Sequence, residues 1–139
     1  MLAANQSLSL RLYRELGSDN NTGIVEVFDG ISKWGGICGS REWSYKDAYV
    51  ACRHLGFSSA LVAFTKDPPR ENYDYFINEL SCNKERYRSF DSIEKCKFSI
   101  WRDGPVTRAC SSKSVIAITC SGKKNPLPGS TPTLEVTRM

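Results

Sequence analysis

The sequence predicts an α+β domain stapled by disulfides. Three observations point there: short stretches in which apolar and polar residues alternate, one segment with helical spacing and helix-end signals, and six cysteines in a chain of 139 residues. A hydrophobic fraction of 40% supplies a modest core, which suits one domain with tails.

Leu8, Leu10 and Leu12 alternate with Ser9, Arg11 and Tyr13, as a half-buried strand requires. Ser18 to Gly23 is dense in turn formers, and Ile24 to Phe28 then reads as a second strand completing a hairpin. After the Asp29-Gly30 turn signal, Trp34 to Cys38 is a third strand. Ser44 to Gly56 is the helix. Ser44 caps it, Asp47 completes a capping box and Gly56 supplies a left-handed stop. Ala48, Ala51, Cys52 and Leu55 share one face, which turns Cys52 toward the core. Asp67 to Asn72 is a proline-broken loop, Tyr75 to Leu80 a short apolar strand, and Cys82 to Cys110 mostly loop with one helical turn near Phe90 to Lys95. Val115 to Thr119 is a β-branched closing strand. These readings place a tail at residues 1–6, the domain at 7–121 and a proline-containing linker at 122–139.

The cysteines, Cys38, Cys52, Cys82, Cys96, Cys110 and Cys120, lie too far apart for the short ligand pairs of a zinc site. Their even number instead indicates disulfides and an oxidising, extracellular compartment. The sequons at Asn5 and Asn20 agree with secretion as glycosylation sites. No stretch reaches the roughly 18 apolar residues that span a bilayer, and the first residues lack the parts of a signal peptide. The chain is therefore read as a domain of a larger parent, with adjacent domains as neighbours and no membrane insertion of its own.

Several ordered motifs resemble the scavenger receptor cysteine-rich family. They are Gly23-Ile24-Val25-Glu26-Val27, Trp34-Gly35-Gly36-Ile37-Cys38, Trp43-Ser44 with Asp47-Ala48, and Val50 to Phe57 around Cys52. The residues before Cys82 and the step from Cys110 to Cys120 fit as well, and six cysteines correspond to that family's group A. The resemblance implies a curved antiparallel sheet of about six strands cradling one α-helix. It also implies pairing of Cys38 with Cys110, Cys52 with Cys120 and Cys82 with Cys96, a connectivity the residues alone leave open.

Catalysis has no support in the sequence. There is no G-x-S-x-G and no pair of histidines, since His54 is the one histidine and reads as a surface or packing residue. No cofactor is implied. Family members often hold calcium through acidic residues after the first cysteine and between the last two. Here those positions carry Gly39-Ser40 and Ser114-Val115, so no metal site is expected. Trp34 and Trp43 read as core, and Gly35-Gly36 as a place of close backbone approach.

Charge is the remaining cue. Residues 1–81 hold 8 Lys and Arg against 10 Asp and Glu, whereas residues 82–113 hold 8 against 4. From that positive stretch, which also contains Lys95, the candidate ligand-binding residues for polyanionic glycans are Lys84, Arg86, Arg88, Lys97, Arg102, Arg108 and Lys113; the bland alternative is a solvated basic face. No nucleic-acid recognition motif is present, so physiological nucleic-acid binding is not expected. The expected function is an extracellular, non-catalytic recognition or adhesion module for protein or polyanionic ligands. The alternative is an accessory domain of a secreted serine protease or lysyl-oxidase-like enzyme.

Overall fold

The computed structural model describes residues 8–14, 20–82, 86–100, 110 and 112–122, with backbone alone at 99 and 100. In chain order these form β1 (Leu10–Tyr13), β2 (Thr22–Phe28), β3 (Trp34–Ile37), α1 (Tyr45–His54), β4 (Ser59–Lys66), β5 (Tyr75–Ser81), β6 (Lys97–Ile100) and β7 (Val115–Ser121). Two 3-10 turns, Tyr87–Ser89 and Ile93–Lys95, lie between β5 and β6.

The seven strands make one sheet in the order β4-β7-β2-β3-β5-β6, with β1 paired to β2. Every pair is antiparallel except β3 with β5, which run parallel. The expectation of an antiparallel sheet is corrected at this one pair. The chain leaves β3 through α1 and β4 before returning as β5, and a crossover of that length permits parallel pairing.

Both faces of the sheet are covered, which explains why β2 and β7 read as near-continuous apolar runs. On one face, Leu10 and Leu12 of β1, Val25 and Val27 of β2, and Ile116 and Ile118 of β7 pack with Ala48, Ala51, Cys52 and Leu55 of α1. On the other, Ile24, Val115 and Ala117 pack with Tyr73, Tyr75 and the Cys38 and Cys110 residues. Register places Arg11 opposite Glu26 on this second side. Their side chains are buried and joined at 2.8 Å, and the Tyr73 hydroxyl donates to the other Glu26 oxygen at 2.6 Å.

The helix ends where its signals lie. Asp47 Oδ2 accepts from the Ser44 N–H at 2.8 Å and from the Ser44 hydroxyl at 3.0 Å, and Gly56 takes φ 97°. Asp47 Oδ1 accepts a third bond, from the Cys82 N–H at 2.5 Å. One buried carboxylate thus ties the start of α1 to the end of β5. The glycines of β3 admit rings rather than backbone. A Cβ at Gly35 would meet the Phe76 ring at 2.8 Å, and one at Gly36 would meet Tyr73 at 2.6 Å.

His54 is half-buried and bridges three segments. Its Nε2 lies 3.0 Å from the Leu8 carbonyl, while Nδ1 accepts from the Ile93 N–H at 3.1 Å. A few residues on, Ser58 Oγ donates to the Ser121 carbonyl at 3.3 Å. The two ends nevertheless lie apart along the sheet: the Phe28 N–H donates to the Ser9 carbonyl at 3.1 Å and the Cys120 N–H to the Asn21 carbonyl at 2.8 Å, at opposite ends of β2.

Candidate ligand-binding surface

Three disulfides pin the frame. Cys52–Cys120 joins α1 to β7, Cys38–Cys110 joins the end of β3 to the segment before β7, and Cys82–Cys96 joins the end of β5 to the turn before β6. These are the pairs the family resemblance implies. Cys52 and Cys82 are fully buried, so a face built on α1 and the 87–89 turn rests on fixed supports.

The basic residues singled out by charge do not gather as one described cluster. Lys84, Arg102 and Arg108 lie outside the described residues. Arg86 and Arg88 are exposed on the turn that packs against α1. Lys97 is exposed at the start of β6, opposite Ser81. Lys113, with φ 53°, belongs to the turn that delivers β7 and lies beside Ser112 and Ser114. Among the described members of that set, Arg88 alone lies over an aromatic ring.

That ring is Tyr87, and around it the structure assembles residues from two elements. Tyr45 and Tyr49 stand one helical turn apart on α1, their ring centroids 6.2 Å apart. Tyr49 meets Tyr87 edge to face at 5.5 Å. Lys46 Nζ and the Arg88 guanidinium each lie 5.6 Å from the Tyr87 centroid, and Arg88 Nε donates to the Tyr87 hydroxyl at 3.1 Å. Arg53 extends the Tyr45, Tyr49 stripe by another turn and lies over Tyr49 at 5.9 Å. The Tyr87 hydroxyl that Arg88 bonds, with weaker help from Tyr49 and Tyr45, holds the guanidinium pKa above its ordinary value. Arg88 is charged at every physiological pH.

Acidic groups bound this face on one side. Lys95 pairs with Asp91 at 3.2 Å, and this hydrogen bond, aided by Arg53, keeps the Asp91 pKa below the usual carboxylate value. Asp91 is matched by Lys95, while Lys46 and Arg88 have tyrosines as their described neighbours. Tyr45 is 44% exposed and its hydroxyl lies 3.1 Å from Ser59 Oγ, at the start of β4. The segment charge count passed over Lys46 because it lies in the acidic part of the chain, and a charge count does not register Tyr45 or Tyr49. The spacing of Tyr45, Tyr49 and Arg53 on a capped helix was the available signal.

The segments after Cys38 and before Val115 are joined by hydrogen-bonded serines. Ser112 Oγ donates to the Gly39 carbonyl at 2.9 Å and lies 2.9 Å from Ser114 Oγ. A Cβ at Gly39 would come 2.3 Å from Ser114 Oγ, so an acidic side chain at 39 would displace this arrangement. Among the described residues no group of three or more His, Cys, Asp or Glu is placed to hold a metal ion. Of the two sequons, Asn5 lies outside the described residues, and Asn20 is exposed in the turn before β2.

Trp43 donates from Nε1 to the Ala117 carbonyl at 3.3 Å and packs against the helix-side core. Trp34 instead lies on the opposite side, against Phe28 at 5.2 Å and under the Arg11 guanidinium at 4.4 Å. No helix of the described residues is long and apolar enough to cross a membrane.

The family model described as the scavenger receptor cysteine-rich domain matches residues 15–121. A scavenger receptor cysteine-rich domain superfamily protein of Patiria pectinifera is 28% identical over 84% of this chain and 10% of its own length. Lysyl oxidase homolog 2 of Xenopus tropicalis is 30% identical over 76% of this chain and 12% of its own length. The chain spans about a tenth of the length of the curated relatives it matches. Among solved structures, the dimeric form of the SRCR domain of mouse MARCO superposes with a TM-score of 0.54 at 26% identity, covering 78% of this chain and 93% of that one.

Proposed function

Because the chain belongs to the scavenger receptor cysteine-rich family, we propose that it works outside the cell as a non-catalytic recognition module, holding protein or polyanionic ligands on a partly basic surface. The observation that carries this reading is the pair of exposed cations, Lys46 and Arg88, set against tyrosines on a face fixed by buried disulfides. A rigid frame lowers the ordering cost of binding, and an arginine fork adds bidentate contacts to sulfate or phosphate. The six paired cysteines support an oxidising compartment, and exposure of Asn20 is compatible with a glycan there. Residues 7–121 are the folded module in this reading, with 1–6 and 122–139 as its connections.

Chromatography on immobilised heparin tests the proposal. Retention near physiological ionic strength that is lost as salt rises is the expected result, because exposed charges are screened over about 8 Å at 0.15 M. Passage without retention under those conditions overturns the polyanion reading.

The similarity to a lysyl oxidase homolog favours a second reading, in which the module positions an enzyme within a multidomain secreted protein. Ligand binding would then serve to place a catalytic domain carried elsewhere on the parent. Comparing the activity of that parent with and without residues 7–121 tests it: a change in activity on surface-bound substrate, with activity on small soluble substrate unchanged, is the expected pattern.

A further inference from the structure

The face formed by α1 and the 87–89 turn combines two features that a charge sensor does not need together. Lys46 and Arg88 lie on the same tyrosine ring, so their charges are no further apart than the sum of their two ring distances. Beside them, Tyr45 presents an open ring, Tyr49 is half-buried, and the Tyr45 hydroxyl is oriented on Ser59. A polymer of bare phosphates would use the cations and leave the rings idle. A sugar ring offers an apolar C–H face to an aromatic plane and hydroxyls to phenols, and its sulfates reach cations beside the ring. Nucleic-acid bases also stack on tyrosine, but the paired cysteines favour an oxidising compartment, away from intracellular nucleic acid.

We propose that Tyr45, Tyr49, Lys46 and Arg88 form a binding site for a sulfated saccharide, with a pyranose face on the Tyr45 ring and sulfates on Lys46 and Arg88. This rests on the polyanion reading above and names the class of polyanion and the residues that select it. Arg53, over the Tyr49 ring at 5.9 Å, marks the end of the site along the helix.

The test measures binding of the full 139-residue chain to a heparin-derived oligosaccharide, its desulfated counterpart, inorganic polyphosphate and a single-stranded oligonucleotide at physiological salt. Wild type is expected to prefer the sulfated oligosaccharide. Tyr45→Ser weakens that binding about three- to tenfold, the range of one aromatic contact, and leaves polyphosphate binding unchanged. Lys46→Gln with Arg88→Gln lowers both, whereas Lys97→Gln, on β6 and outside the named site, lowers neither by more than about twofold. Circular dichroism and a thiol assay confirm that each variant keeps its fold and disulfides. Equal effects of Tyr45→Ser on the sulfated sugar and on polyphosphate, no effect on either, or a preference of wild type for the oligonucleotide overturns the saccharide site while leaving polyanion binding intact. Loss on Lys97→Gln as large as on the double variant moves the site elsewhere and also overturns it. If wild type binds none of the anions, the polyanion reading itself fails.

Discussion

Tyr73 and Tyr75 pack edge to face with ring centroids 5.7 Å apart, yet their hydroxyls have opposite fates. Tyr73 donates to Glu26, whose other oxygen holds Arg11; the Tyr75 hydroxyl is buried with no hydrogen-bond partner among the described residues. Tyr73→Phe is expected to cost about 1.5–3 kcal/mol, since it strips a bond to a buried charged group. Tyr75→Phe is expected to be neutral or to stabilise, because it removes a buried polar atom that gains nothing. Urea unfolding of the two variants side by side checks the contrast; equal losses would show that the Glu26 bond carries no special weight.

Asp47 is 1% exposed and serves both the helix start and the Cys82 N–H. Asp47→Ala removes the cap and orphans a buried donor, so a loss of about 2–4 kcal/mol is expected, more than a helix cap alone supplies. Asp47→Asn keeps one acceptor and loses less. Denaturation midpoints of the two variants measure the difference.

Stability depends on His54 in mildly acidic solution. Burial holds its imidazole pKa below the ordinary value, opposed by its bond to the Leu8 carbonyl and by the nearby Glu94 and Asp91 carboxylates. In the unfolded chain it titrates at about 6.5, so the unfolded state takes up the proton first as pH falls. The stabilising contribution is present above about pH 6.5 and declines below it, by at most about 1.4 kcal/mol per pH unit. Protonation also places a hydrogen on Nδ1, where the Ile93 N–H already donates. Unfolding free energies measured from pH 7.5 to 5 should fall in wild type and stay level in His54→Gln.

At Gly36 the limit is steric. The Tyr73 ring lies where a side chain would go, so Gly36→Ala forces apart β3 and the Tyr73–Glu26 contact. A loss of about 1–3 kcal/mol is expected from overpacking. Thermal unfolding measures it, and the Gly36→Ala, Tyr73→Phe pair should be non-additive because both act on one contact.

What could be read from the sequence was what is written locally. The cap, apolar face and Gly56 stop of α1 lie within one short segment, and β1, β2, β3, β5 and β7 each carry their own apolar pattern. β4 escaped because a bulge between Ala60 and Val62 breaks the alternation and leaves Leu61 and Val62 exposed on a sheet-edge strand. β6 escaped because four residues in a loop-like stretch carry too little pattern. Arg11 reads as a solvent-facing residue of a half-buried strand; that Glu26 would meet it inside depends on register, which periodicity does not give. Parallel pairing of β3 with β5 is likewise a matter of partners. The tyrosine and cation face joins Tyr45, Lys46 and Tyr49 to Tyr87 and Arg88 across a disulfide-tethered turn, so counting charge along the chain divides it.

The start of β1 lies beside Phe28 and the end of β7 beside Asn21, at opposite ends of β2. Tension applied at those two points would load the β1–β2 and β2–β7 ladders in shear, so that their hydrogen bonds resist together rather than one after another. The Cys52–Cys120 bridge anchors the far end of that path to α1, so a pull along the chain is passed to the helix that carries the tyrosine face.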